Sequence, residues 1–371
     1  MNSRVVEQFL SLVRIDSETK HEEVIAPILV NLLTELGFDV VQDDAHTRNG
    51  HGAGNIIATL KGNKEGVDPI YFTTHMDTVV PGKNIQPQIR EDGYIYSDGT
   101  TILGADDKAG IAASIEMVRR LKEQNIPHGD IQFIITAGEE SGLVGAKELD
   151  PSMIHAKYGF AIDSDGKVGG IVTAAPFQAK LNVIVRGKTA HAGVAPEKGI
   201  SAITVAAKAI AKMKLGRIDA DTTANIGRFE GGQATNIVCD EVHILAEARS
   251  IHRDKLDAQT AHMKATFEDV AASLGAAAEV DVQLMYPGFC VTEDDTVVQV
   301  AIEAVKAIGR EPLLGSSGGG SDANVIAGFG IPTVNLSVGY EEIHTTNERM
   351  PIEELEKLAD LLVEVVRTVA K

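Results

Sequence analysis

Two stretches near the start of the chain carry apolar residues at helical spacing. In residues 2–13 these are Val6, Phe9, Leu10 and Val13; in 21–36 they are Ile25, Ile28, Leu29, Leu32, Leu33 and Leu36. Gly37 follows the second run and fits a helix stop, since glycine tolerates the left-handed backbone found there. The segments NIIATLKG (55–62) and PIYFTTHMDTV (69–79) read as strands, and YIYSDG (94–99) as a short strand ending in a turn. A helix is predicted over 108–124, with Ile111, Ile115, Val118 and Leu121 on one face. The run IQFIITAGEE (131–140) is largely apolar, as expected of a strand buried on both faces, and GFAIDSDG (159–166) repeats that pattern. Strands alternating with helices predict an α/β fold on a mixed or parallel sheet.

The pattern changes near residue 177. FQAKLNVIVRGKTAH alternates apolar and polar residues, like a strand with one wet face. A helix over about 199–214 follows, then ANIGRFEGG, QATNIVCDE and VHILAEARSIH as strands or hairpins. A helix over about 254–274 leads to the strand AAEVDVQLMYPGF. This β-α-β-β-α-β order is the ferredoxin-like arrangement. Beyond residue 287 the chain returns to helices and loops, ending in a helix over 352–369. The expected organisation is an α/β domain built from 1–176 and 287–371, with an α+β domain, 177–286, inserted into it.

Bulk properties narrow the partners. The 371 residues carry 53 acids against 34 bases, a formal charge of −19. Nucleic acid and anionic membranes favour basic patches, so neither is the expected partner. Cys239 and Cys290 are the only cysteines, too few for a disulfide framework or a thiolate zinc site. The N-terminal stretch is amphipathic and lacks the apolar core of a signal peptide, and no run reaches membrane-spanning length. A cytoplasmic location is the expectation.

Chemistry gathers at the ends of the apolar strands. His75 and Asp77, two apart in TTHMDTV, face one side of a strand end, which suits a metal-binding imidazole oriented by a carboxylate or simply a histidine beside a turn aspartate. Asp106 and Asp107 precede the 108–124 helix; one of them serves as an N-cap, and the second invites another purpose. Glu139 and Glu140 would repel each other at a strand terminus unless cations or protons intervene, so a ligand beside a general base would explain them, as would an exposed turn. Asp163 and Asp165 form a third acidic strand end. His344, in GYEEIHTTNERM, reads alone as a surface histidine. Together, nitrogen and carboxylate groups without thiolate suit zinc, cobalt or manganese.

In chain order, HMDTV, LGADDKAG, TAGEESG, AIDSDG and IHTTNE resemble the motif series of the M20 metallopeptidases over nearly the whole chain. GADDKAG and TAGEESG are most similar to the branch of peptidase T and its shorter relatives, the tripeptide aminopeptidases. The resemblance implies a zinc-peptidase-like catalytic domain, a ferredoxin-like lid or dimerisation domain, short peptide substrates and a homodimer formed through the inserted domain. It also implies two zinc ions per subunit, with cobalt or manganese as substitutes. Asp106 would bridge the ions, His75 and Asp163 completing one and Glu140 and His344 the other. Asp77 would support His75, Glu139 would be the general base, and the Asp106–Asp107 peptide bond would be cis. His191 in GKTAHAG would reach across a dimer to the oxyanion. Asn236 and Arg249 would hold the substrate's carboxylate, and Gly319 and Gly320 would lie in the substrate loop SSGGGSD (316–322). The plain readings are a polar-loop histidine, a wet-face arginine and a flexible turn. Two other functions fit the same motifs: an N-acyl amino acid deacylase using the same site, or an inactive peptide-binding relative, against which the presence of Glu139 argues.

Overall fold

The computed structural model describes residues 3–371. Ile70–His75 and Ile131–Thr136 are buried at every position, as their apolar runs require. They pair in parallel, Ile70 opposite Ile131 and His75 opposite Thr136. Tyr158–Ser164 pairs in parallel on the other side of Ile70–His75, and Thr333–Ser337 lies parallel beyond it. The whole sheet runs Asp39–Gln42, Ile56–Leu60, Ile131–Thr136, Ile70–His75, Tyr158–Ser164, Thr333–Ser337, Gly170–Ala175 and Phe289–Cys290. Leu313–Ser316 also pairs with Gly170–Ala175. Asp39–Gln42 and Ile56–Leu60 enter antiparallel, so the sheet is mixed. Because the central strands are parallel, His75, Thr136 and Ser164 end on one edge, where open α/β sheets carry their sites.

The helices Arg4–Val13, Ala105–Glu123, Thr296–Ala307 and Ile352–Val369 bury their apolar faces in the core of this unit, including Ile111, Ile115, Val118 and Leu121. Gly37 takes φ 82° beyond Ile25–Glu35, the conformation expected of a helix stop. Two differences concern the site. The helix predicted from 108 is extended to Ala105, but Asp106 and Asp107 have non-helical backbone angles, and the peptide bond between them is cis. The stretch expected to hold only helices and loops contains Leu313–Ser316 and Thr333–Ser337. Both are short, and the polar Asn335 interrupts the apolar run of the second.

A second compact unit comprises Ala175–Phe289 with Gly318–Gly320; the first comprises residues up to Ala174, Cys290–Ser317 and Ser321–Lys371. In the second, the sheet order is Gly216–Arg217, Thr222–Gly231, Glu241–Ser250, Phe177–Arg186, Ala277–Tyr286, with every pair antiparallel. Helices Ala202–Lys212 and Arg253–Ser273 pack on it, giving the ferredoxin-like order predicted. Val242, Ile244, Ala246 and Ala248 face this core, as the alternation in their strand requires. QATNIVCDE is not a strand: Gly232, at φ 87°, ends Thr222–Gly231, and the chain turns, keeping one isolated bridge between Ile237 and His191. Among the described residues no helix is long and apolar enough to cross a membrane.

Candidate metal centre and active site

His75 closes its buried strand, and its ring Nδ1 donates to the main-chain carbonyl of Asp77 at 2.9 Å. That bond turns Nε2 toward Asp106 Oδ1, 3.0 Å away, and Asp163 Oδ1, 3.7 Å away. Asp106 presents its other oxygen, Oδ2, to His344 Nε2 at 3.2 Å, and this nitrogen lies 2.9 Å from Glu140 Oε1. Asp106 thus directs one oxygen at each of two imidazole–carboxylate groups. Ligand-type atoms of His75, Asp106 and Asp163 lie within 4.8 Å of one another, as do those of Asp106, Glu140 and His344, and of His75, Glu139 and Glu140.

Several buried side chains hold the loops that carry these groups. Asp77, fully buried, accepts from the backbone N–H of Glu139 (3.0 Å) and of Glu140 (3.2 Å). It therefore fastens the glutamate turn as well as standing beside His75. Glu348 is also buried and accepts from the N–H groups of Leu103 (2.7 Å), Gly104 (2.8 Å) and Asp106 (3.1 Å). The Tyr340 hydroxyl donates to Asp163 Oδ1 at 3.2 Å, and Asn335 bonds the Asp163 backbone. Glu348, Tyr340 and Asn335 escaped the sequence reading. Glu348 looks like any loop acid four residues after His344, and nothing local marks the other two.

The electrostatics follow from crowding. Burial, the largest influence on His75, disfavours its charge, yet Asp106, Asp163 and Asp77 raise its pKa well above the usual imidazole value. His344 is pushed up to about 10 by Asp106 and Glu140. Burial opposes ionisation of Asp106, but His344 and His75 hold it well below the usual carboxylate range. Burial pushes Asp163 up to about 6 and Glu348 up to about 7. Burial, then the charge of Asp163, holds Glu139 well above the usual carboxylate range. Among the described residues, the only side-chain nitrogens at ion-pair distance from Asp106, Asp163 and Glu140 are those of His75 and His344.

This donor set fits divalent cations. Two imidazole Nε2 atoms and the carboxylates of Asp106, Asp163 and Glu140 converge in two groups that share Asp106, and no thiolate is among them. The hydrogen bond on His75 Nδ1 is the kind that orients a metal-binding imidazole.

The other residues expected to act on substrate lie in the second unit. The His191 and Asn236 segments are adjacent there: Ala192 N–H donates to the Asn236 carbonyl at 2.9 Å, and His191 Nδ1 accepts from Gly193 N–H at 3.2 Å. Arg249 donates to both oxygens of Glu247 (3.0 and 3.3 Å), to the Gly318 carbonyl (3.1 Å) and to the Tyr286 hydroxyl (3.4 Å). Gly320 lies against the Tyr286 ring, where a Cβ would come within 2.4 Å. Gly319 sits beside it in the same glycine run.

Comparison with known proteins bears on these groups. The sequence profile of Peptidase family M20/M25/M40 matches residues 71–368. The solved structure of aminopeptidase PepT from Bacillus cereus is 65% identical, with a TM-score of 0.96 over 99% of this chain and 98% of that one. A tripeptidase structure from Staphylococcus aureus is 52% identical, with a TM-score of 0.97 over the same shares of the two chains. Peptidase T of Clostridium botulinum (strain 657) is 30% identical, covering 99% of both chains.

Proposed function

The chain belongs to peptidase family M20/M25/M40, and from that premise we propose that it uses two zinc ions to release the N-terminal residue of tripeptides. Peptide hydrolysis itself comes with the family and with the PepT and tripeptidase likenesses. The observation that carries the two-ion reading is Asp106, whose two oxygens address separate imidazole–carboxylate groups. In this proposal His75, Asp106 and Asp163 hold one ion and Asp106, Glu140 and His344 the other. Zinc supplies Lewis acidity and eases ionisation of water at such a site, and cobalt or manganese could substitute.

The protein's own groups do the rest. Glu139 takes a proton from the attacking water and returns it to the leaving amine. Asp77, through the N–H groups of Glu139 and Glu140, keeps the base and a proposed ligand in register. His191, Asn236, Arg249, Gly319 and Gly320 are assigned to substrate, the arginine fork suiting a carboxylate. A homodimer formed through the inserted unit and a cytoplasmic location complete the proposal.

The test is a tripeptide panel offered to zinc-reconstituted protein with free and acetylated amino ends. Release of the first residue from free-ended tripeptides alone is the expected result. Turnover of acylated substrates alone would replace the aminopeptidase assignment with a deacylase one, and no turnover of either would favour a peptide-binding relative.

A further inference from the structure

We infer that Asn335 is a positioning residue that sets the backbone of Asp163; this rests on the proposal that Asp163 holds a metal ion. The register between Thr333–Ser337 and Tyr158–Ser164 is regular from Thr333 opposite Gly159 to Asn335 opposite Ala161, then resumes with Ser337 opposite Ser164. Two residues, Ile162 and Asp163, therefore stand across from Leu336 alone. Such a bulge leaves an unpaired residue and re-aims its side chain. On the opposite side of Tyr158–Ser164, pairing with Ile70–His75 ends at Ala161. Neither neighbouring strand thus supplies a ladder partner to Asp163, and a buried peptide group without partners is costly.

One side chain fills both vacant positions. Asn335 Oδ1 accepts from the Asp163 N–H at 2.9 Å, and Asn335 Nδ2 donates to the Asp163 carbonyl at 2.8 Å. The amide imitates the missing strand neighbour, one acceptor and one donor in a plane. Nδ2 donates also to Ser321 Oγ at 3.2 Å, which fixes the rotation of the amide. Asn335 is 6% exposed, so water does not substitute easily for these bonds. The Asp163 carboxylate is left to face His75 Nε2 and the Tyr340 hydroxyl. The amide carries its acceptor and its donor on separate atoms of one plane; ionised aspartate keeps the shape with acceptors alone, and leucine keeps it with neither.

The experiment measures metal binding by full-length protein, using zinc titration against a chromophoric chelator and the visible absorption of the cobalt-loaded form. Asn335→Ala, Leu336→Ala and Asp163→Ala are compared with the wild type, each with its thermal midpoint. The expected result is a folded Asn335→Ala protein in which one of two ions binds about 10–100-fold more weakly, the usual size of such an outer contact, with an altered cobalt spectrum. Leu336→Ala, which removes packing alone, should lower the midpoint without that selective loss. Wild-type affinity for both ions in folded Asn335→Ala overturns the inference, as does equal weakening of both ions matching Leu336→Ala. If Asn335→Ala does not fold, Asn335→Asp is judged by the same criterion, since it keeps the shape and the acceptor. Undiminished two-ion binding by Asp163→Ala would instead overturn the metal-site proposal itself. Loss there beside intact binding by Asn335→Ala overturns only the role of Asn335.

Discussion

Asp77→Asn separates two roles that the sequence leaves merged. If Asp77 served only to orient His75, asparagine would be mild, because the main-chain carbonyl at residue 77 still accepts from His75 Nδ1 at 2.9 Å. The structure gives its carboxylate a second duty, accepting from the N–H groups of Glu139 and Glu140. Each bond to a carboxylate of this kind contributes about 1.5–3 kcal/mol. Asparagine keeps one as a weaker neutral bond and turns its NH2 group toward the other N–H, leaving a buried donor without an acceptor at a cost of about 1–3 kcal/mol. The combined loss is about 3–4 kcal/mol. If it falls on the placement of Glu139, turnover drops about 10²–10³-fold, at about 1.4 kcal/mol per factor of ten. The assay is single-turnover hydrolysis by protein whose zinc content equals that of the wild type, so that metal loss and loss of base placement are not confused. A fully loaded Asp77→Asn enzyme turning over within about threefold of wild type refutes the reasoning.

Glu139→Gln should retain both ions and lose about 10²–10⁴ in turnover, measured by metal analysis and initial rates; a near wild-type rate removes Glu139 as base. Chelation should lower the thermal midpoint and zinc should restore it, with about 4 kcal/mol expected at a free zinc concentration a thousand times its Kd; an unchanged midpoint argues against ions bound to the native state. On stepwise chelation the ion assigned to Glu140 and His344 should leave first, because the His344 side chain is 48% exposed whereas that of His75 is 2% exposed; simultaneous loss of both ions counts against this order. Buried Glu116 pairs with Arg4 (2.7 Å) and Arg120 (2.8 Å), and although burial acts against it, these arginines lower its pKa. Its stabilisation is therefore present above its unfolded pKa and lost as pH falls through the lower folded one, so Glu116→Gln should cost about 1–3 kcal/mol at pH 7 and converge with wild type in acid denaturation curves.

The sequence displays four of the five proposed ligands, His75, Asp106, Glu140 and Asp163, because they sit where a local pattern breaks. Apolar runs end abruptly in HMD, GEE and DSD, and a strand signal that stops at an acid is visible without knowing its neighbours. His344 is visible only through the motif series, since a histidine in a polar loop has no local signature. The residues that position the ligands are a different matter. Asn335 makes a weak strand signal weaker, and its reason for being there is Asp163, 172 positions earlier. Glu348 reads as a surface acid because the three N–H groups it accepts from belong to the segment 103–106, far back in the chain. QATNIVCDE errs the opposite way: Ile237, Val238 and Cys239 resemble a strand core, but Gly232 turns the chain before a ladder can form.

Asp77, Glu348 and Asn335 share one physical logic. Each is a buried polar side chain that satisfies backbone groups of a residue in the cluster. Asp77 takes the N–H groups of Glu139 and Glu140, Glu348 takes that of Asp106, and Asn335 takes both main-chain groups of Asp163. Bonding the carboxylates directly would use up the oxygens that a cation needs. Bonding the backbone fixes where the carboxylates stand and leaves those oxygens turned toward the imidazoles. Such an arrangement is stable only while buried acceptors and donors match, because an unmatched polar group at this depth costs more than the bond it replaces contributes. His344 stands outside this scheme. It lies at φ 62° in an exposed loop, and among the described residues its side chain pairs with Asp106 and Glu140. The cluster therefore joins a half built on the strand ends that carry His75 and Asp163 to a half whose imidazole, His344, comes from an exposed loop.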